Sequence, residues 1–186
     1  EQLLYEGSVE ERQFFHPEPL KDEEIVLTHT PDYLEKLNTL NLSKKEIRDI
    51  GFPVKEELIV RGKHIAQGTY DCALYAIQEG VAMNVAGGTH HSFADRGEGF
   101  CVFNDIAIAS NLLLQQGKAS RILIVDLDVH QGNGTAKIFE NDPRVYTFSM
   151  HGARYYPTRK EKSDLDIGLP DQTTDEPYLK TLHDTL

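Results

Sequence analysis

Apolar runs in this chain stop abruptly at polar, chemistry-bearing residues. The clearest is Ile122-Leu-Ile-Val125, which passes into Asp126-Leu-Asp-Val-His130-Gln-Gly-Asn-Gly134. A continuous apolar run of this kind predicts a strand over 121–127, buried on both faces as in a parallel sheet. Just before it, Ile106, Ala109, Leu112 and Leu113 form one helical face over 104–116, with Asn104 or Asp105 as cap and Gly117 as stop. Further upstream, Ile65, Ala66, Cys72, Ala73, Ala76 and Ile77 recur at three- and four-residue spacings. They predict a helix from about Val60 that ends near Gly80. Val81-Ala-Met-Asn-Val-Ala86 then reads as a second buried strand, running into Gly87-Gly-Thr-His90-His91. Strand, helix and strand in that order predict a right-handed parallel crossover.

The flanks carry weaker patterns. Residues 1–24 read as a loop or helix remnant, and Glu24-Ile-Val-Leu-Thr28 as a short strand. Thr30 before Pro31 starts a helix through Leu37, and Ser43-Lys-Lys-Glu46 is a capping box for another, closed by Gly51 and Pro53. Val145-Tyr-Thr-Phe-Ser149 predicts a strand ending in Met150-His151-Gly152; 164–170 reads as loop, and Pro177 opens a last helix.

Composition narrows the classes. The 186 residues fit one domain, 1–186, with a sizeable core. The net charge of -11 offers no basic stripe for phosphates, so no direct nucleic-acid partner is expected. That field suits a basic-tailed protein substrate, although an acidic, merely soluble protein explains the charge more simply. Two cysteines, Cys72 and Cys101, imply no disulfide framework. No apolar run approaches the ~20 residues of a membrane span and the first residues do not resemble a signal peptide, so a cytoplasmic protein without membrane contact is expected.

The strand end holds the candidate chemistry. Asp126, Asp128 and His130 alternate, so an extended chain would point all three the same way, at the end of a strand where α/β sheets bind ligands. Asp128 and His130 offer an oxygen and a nitrogen donor suited to a divalent metal such as zinc, which acidifies water towards a pKa of ~7. His90 and His91 would move the proton, with Asp126 and Asn133 as partners for their other ring nitrogens. His16, His29, His64 and His183 have nothing ligand-like beside them in sequence and read as surface or capping residues.

Gly87-Gly-Thr-His90-His91, Gly99-Phe-Cys101 with Asn104-Asp105, Asp126 to Gly134, and Ser149-Met-His151 together resemble the histone deacetylase family of zinc amidohydrolases, in the family's order and near its spacing. Asn133 and Gln131 resemble its class II, class IV and bacterial members. The resemblance implies an α/β fold, the three-layer α/β/α arginase/deacetylase sandwich with a mostly parallel sheet, here incomplete. It implies hydrolysis of an acetyl or longer acyl group from lysine side chains or related amines, the partner being an acylated lysine peptide or small amine. Asp128 and His130 would be zinc ligands, His91 the general base backed by Asn133, and His90 the electrostatic partner backed by Asp126. Gly99, Phe100 and Tyr156 would contact substrate, Tyr156 standing where Phe is commoner. A structural potassium ion would use Asp126, the Ser149 hydroxyl and main-chain carbonyls of Asp128, His130 and Met150.

The family's third zinc ligand, a later Asp, and its carbonyl-polarising Tyr in a Gly-Gly-Tyr-like loop have no counterpart here; the one Gly-Gly, Gly87-Gly88, precedes Thr89. The expectation is therefore a domain truncated at both ends, poorly active or inactive alone and prone to associate through uncovered core. Two rivals stand beside it. A dimetal ureohydrolase would need a carboxylate where Gly132 stands. A catalytically dead binding module, completed by a partner, would keep the fold and recognise acylated or cationic ligands.

Overall fold

The computed structural model describes residues 2–186. Short elements come first: α1 (Gln2–Tyr5), a 3-10 turn at Glu11–Gln13, and α2 (Asp22–Ile25). The segment 24–28, expected as a strand, is thus the end of a helix and a turn; Ile25 is buried there while Val26 and Leu27 are exposed. α3 (Pro31–Asn38) and α4 (Lys44–Ile50) start where local chemistry dictates. Thr30 accepts a hydrogen bond from the Tyr33 N–H, Ser43 and Glu46 form the capping box, and Gly51 ends α4 in the left-handed region at φ 88°.

α5 (Glu56–Glu79) begins one turn earlier than its apolar spacing implied and stops at Gly80. Gly62 admits the Phe103 ring, which a Cβ there would meet at 2.8 Å. α6 (Asp105–Gln115) packs against α5 and is buried nearly all round. Ile108, Ala109, Leu112 and Leu113 join the core of α2–α5, while Ala107 meets Ile124, Phe139 and Val145 on the sheet side.

The sheet is β1 (Ile122–Asp126), β2 (Val145–Gly152) and β3 (Leu165–Leu169), in that order and wholly parallel, with α7 (Asn133–Phe139) crossing from β1 to β2. Three expectations change. The 81–86 run is not a strand: among the described residues it has no neighbouring strand to bond, and Val81, Met83 and Val85 are exposed. The observed crossover is consequently β1–α7–β2. The 164–170 segment is a strand, because Leu165-Asp-Ile-Gly-Leu169 pairs with Phe148–Gly152. Gly132 and Gly134 flank Asn133, the first residue of α7.

α6 and α7 cover one face of the sheet, and Leu123, Val125 and Tyr146 on the other are exposed. α8 (Asp175–Thr185) closes the chain with no buried residue. No described helix is long and apolar enough to cross a membrane. Cys72 and Cys101 are buried free thiols.

Candidate active site

β1 ends at Asp126, and the next four residues bend instead of extending, so the strand alternation expected through His130 stops short. Two carboxylates make the bend. Asp126 Oδ1 accepts from the Asp128 N–H at 3.0 Å, and Asp128 Oδ1 from the His130 N–H at 2.7 Å. At the end of β2 the Gly152 N–H bonds the Val129 carbonyl at 2.9 Å. The bend holds Asp128 Oδ1 and His130 Nδ1 3.1 Å apart, both half exposed.

His90 and His91 are buried beside this bend, ring centroids 4.1 Å apart. Their loop is pinned from below by Asp105 at the start of α6, whose carboxylate accepts from the N–H groups of Gly88 (3.1 Å) and Thr89 (2.7 Å) and from the hydroxyls of Thr89 and Thr69. Asn104 caps α6 through the Ala107 N–H and donates to the Ser92 carbonyl at 3.0 Å. The Thr135 N–H of α7 bonds the His90 carbonyl, and this close approach is why position 134 is Gly: a Cβ there would overlap the Ser92 carbonyl.

The two imidazoles have different partners. His90 Nδ1 meets Asp126 Oδ2 at 2.5 Å; His91 Nδ1 meets Asn133 Oδ1 at 2.7 Å. Burial lowers the pKa of both, but the hydrogen bond and charge of Asp126 outweigh it at His90, which ends above the ordinary value. At His91 burial and the neighbouring His90 prevail over the Asn133 bond, and its pKa ends below. The two neighbouring rings are thereby pushed in opposite directions, a division of labour suited to acid–base chemistry.

Tyr156 stands edge-on to His91, 4.9 Å between ring centroids, and 5.9 Å from His130. Its loop is tied to the site by Gln131, which is buried and bonds both the N–H and carbonyl of Glu161. Phe100 is exposed and packs on Phe52, 5.0 Å between centroids, with Gly99 and Phe100 both at positive φ (56° and 66°). For Phe100 that conformation is uncommon, and the Phe100 N–H bond to the Ile50 carbonyl helps hold it. Ser149 is the register partner of Asp126, its hydroxyl 2.9 Å from His151 Nδ1, and Met150 follows it, buried.

Asp128 and His130 suit one zinc ion as a pair, since an oxygen and a nitrogen on a shared tetrahedral ion lie about 3.3 Å apart. Among the described residues no three His, Cys, Asp or Glu side chains group in a way that could hold a metal. Burial pushes the Cys101 thiol up to about 11, so it is no nucleophile at neutral pH.

Three contributors escaped the sequence reading. Glu98 accepts from Asn133 and from the Tyr156 hydroxyl; a lone charge between Gly97 and Gly99 was its only signal. Asp105 read as a cap, yet it orients the histidine loop. His29, read as a surface or capping residue, is fully buried, and its Nε2 accepts from the Asn104 N–H at 3.0 Å. No sequence signal marked it.

Comparison with known proteins identifies the family and the fold. A family profile described as histone deacetylase domain matches residues 1–186. An uncharacterized protein of Picosynechococcus sp. is 45% identical over 97% of this chain and 60% of its own length. Histone deacetylase 2 of Arabidopsis thaliana is 29% identical over 99% of this chain and 50% of its own. The crystal structure of an HDAC homolog from Aquifex aeolicus superimposes with a TM-score of 0.82 at 27% identity, over 96% of this chain and 54% of that one. The chain therefore spans about half the length of such relatives. Its fold is an incomplete form of theirs, with the parallel sheet and helices of the α/β arginase/deacetylase class. With the family profile matched from end to end, the chain belongs to the histone deacetylase family.

Proposed function

We propose that this chain carries the proton-transfer residues and two metal ligands of a zinc-dependent amidohydrolase that removes acetyl or longer acyl groups from lysine side chains or related amines. The observation that carries the reading is the buried His90–His91 pair, each ring bonded to a different partner, beside the Asp128–His130 donor pair. Asp128 and His130, with a further donor, would hold a zinc ion, which when bound would supply Lewis-acid chemistry to a water and to the amide carbonyl. His91, neutral near pH 7, takes a proton and returns it to the leaving amine. His90, whose pKa the hydrogen bond and charge of Asp126 hold above the ordinary value, is the ring that more readily carries a proton and so stabilises negative charge developing beside it. Gly99, Phe100 and Tyr156 line the approach of the acylated side chain. Asp126, Ser149 and Met150, adjacent on β1 and β2, would hold a structural potassium ion.

Two ligands bind zinc less tightly than three, which favours a second statement: the 186 residues alone hydrolyse poorly or not at all. The test has two arms. Zinc titration and turnover of an acetyl-lysine peptide by this chain are expected to give weak binding and little product. Full-length protein on a panel of acylated lysine peptides and acylated small amines is expected to turn over at least one class. No turnover of any acylated amine by zinc-loaded full-length protein would leave the binding-module reading in its place.

A further inference from the structure

We propose that Glu98 is a positioning residue that dictates which nitrogen of His91 carries the proton, acting through the side-chain amide of Asn133. The amide bridges the two: Asn133 Oδ1 faces His91 Nδ1 at 2.7 Å, and Asn133 Nδ2 donates to Glu98 Oε1 at 3.1 Å. An amide in a buried slot has two orientations, related by a half-turn that exchanges oxygen for NH2. An ionised carboxylate only accepts, so Glu98 fixes the NH2 on its own side and leaves the oxygen for His91. That oxygen only accepts in turn, so His91 carries its proton on Nδ1 and keeps Nε2 unprotonated, the tautomer in which Nε2 can act as a base. Without Glu98 the reversed amide would donate to Nδ1 and place the proton on Nε2, where the ring is no longer a base.

Glu98 itself is well held. Its N–H and carbonyl both pair with Cys101 across the Gly99-Phe100 turn. Oε1 also accepts from the Tyr156 hydroxyl at 2.5 Å, and Arg96 lies 3.8 Å from Oε2. The same oxygen therefore anchors the aromatic ring that stands over His91. Asn133 is buried, so no competing solvent donor can orient its amide.

The inference extends the hydrolase reading, yet its first test needs no catalysis. Two-bond proton–nitrogen correlation spectra of the histidine rings of this chain, at a pH where His91 is neutral, report the tautomer directly, with His91→Gln assigning the signal. The native chain is expected to show His91 with its proton on Nδ1. Glu98→Met, which keeps bulk and removes the acceptor, and Glu98→Ala should each bring the other tautomer to a comparable population. In an Asn133→Asp background the carboxylate accepts from Nδ1 directly, so Glu98→Met should leave the native tautomer in place. In zinc-loaded full-length protein Glu98→Met should lower kcat roughly tenfold, with recovery in the Asn133→Asp background. An unchanged His91 tautomer in both Glu98 variants overturns the proposal, whatever the protein hydrolyses. A tautomer switch without any turnover by the native full-length protein overturns the hydrolase reading and leaves the role of Glu98 standing.

Discussion

Acid should destabilise this protein through His29, a residue outside the catalytic constellation. The ring is about 1% exposed, its Nε2 occupied by the Asn104 N–H, and its Nδ1 has no hydrogen-bond partner among the described residues. Burial is the largest influence and exceeds the opposing pull of the Ala94 and Phe93 carbonyls, so the folded-state pKa falls to about 4. An unfolded histidine titrates near ~6.5. Between those values the unfolded chain binds the extra proton, so stability rises with pH: the contribution is complete above ~6.5 and is lost as pH falls through about 4. At about 1.4 kcal/mol per pH unit, the whole window is worth about 3 kcal/mol. Urea unfolding of the native chain and of His29→Gln, between about pH 7 and pH 4, isolates this contribution, because the carboxylates titrating there are common to both. The stability difference in favour of the native chain should shrink by about 3 kcal/mol across the window. Parallel curves, or a His29 ring that titrates near its ordinary pKa by NMR, would refute the reasoning.

Other outcomes follow from the same contacts. Asp105→Ala strips the acceptor from two backbone N–H groups and two hydroxyls, and should lower the unfolding free energy by about 3 kcal/mol or more; a loss under about 1 kcal/mol would contradict its role. Gly134→Ala drives a Cβ into the Ser92 carbonyl and should cost about 1–3 kcal/mol, read as a lower urea midpoint at unchanged slope. Asp128→Ala and His130→Ala should each abolish the weak zinc binding expected of the native chain in calorimetry, and zinc binding unaltered by both places the metal elsewhere. The uncovered sheet face around Leu123, Val125 and Tyr146 should bind a hydrophobic dye and drive concentration-dependent association in sedimentation.

What the sequence disclosed, and what it withheld, divides by the range of the forces involved. The starts of α3, α4 and α6 were legible because a cap is settled within three residues, as Thr30, Ser43 and Asn104 each demonstrate. The run 81–86 misled because a strand needs a neighbour, and none lies beside it; its Asn84 instead bonds α5 through the Ile65 carbonyl and Thr69. β3 hid behind Asp166 and Gly168, residues poor in strands, and pairing with β2 overrode that preference. At the site, the donor residues were visible as types at strand ends. The bonds of Glu98, Asp105 and His29 to groups 16 to 75 positions away were not, because no local pattern encodes a contact made only on folding.

Asp126 shows what such contacts demand of a single position. One of its oxygens receives the Asp128 N–H and the other faces His90 Nδ1, so both must accept. Asparagine, equal in size, would turn one acceptor into a donor aimed at another donor. Glutamate, one methylene longer, would crowd Gly132, where even a Cβ would overlap this carboxylate. A neutral substitute releases the bend that carries Asp128, or the ring of His90, or both. Errors at this residue cannot be repaired one neighbour at a time, and pairwise variants on its two sides should be strongly non-additive.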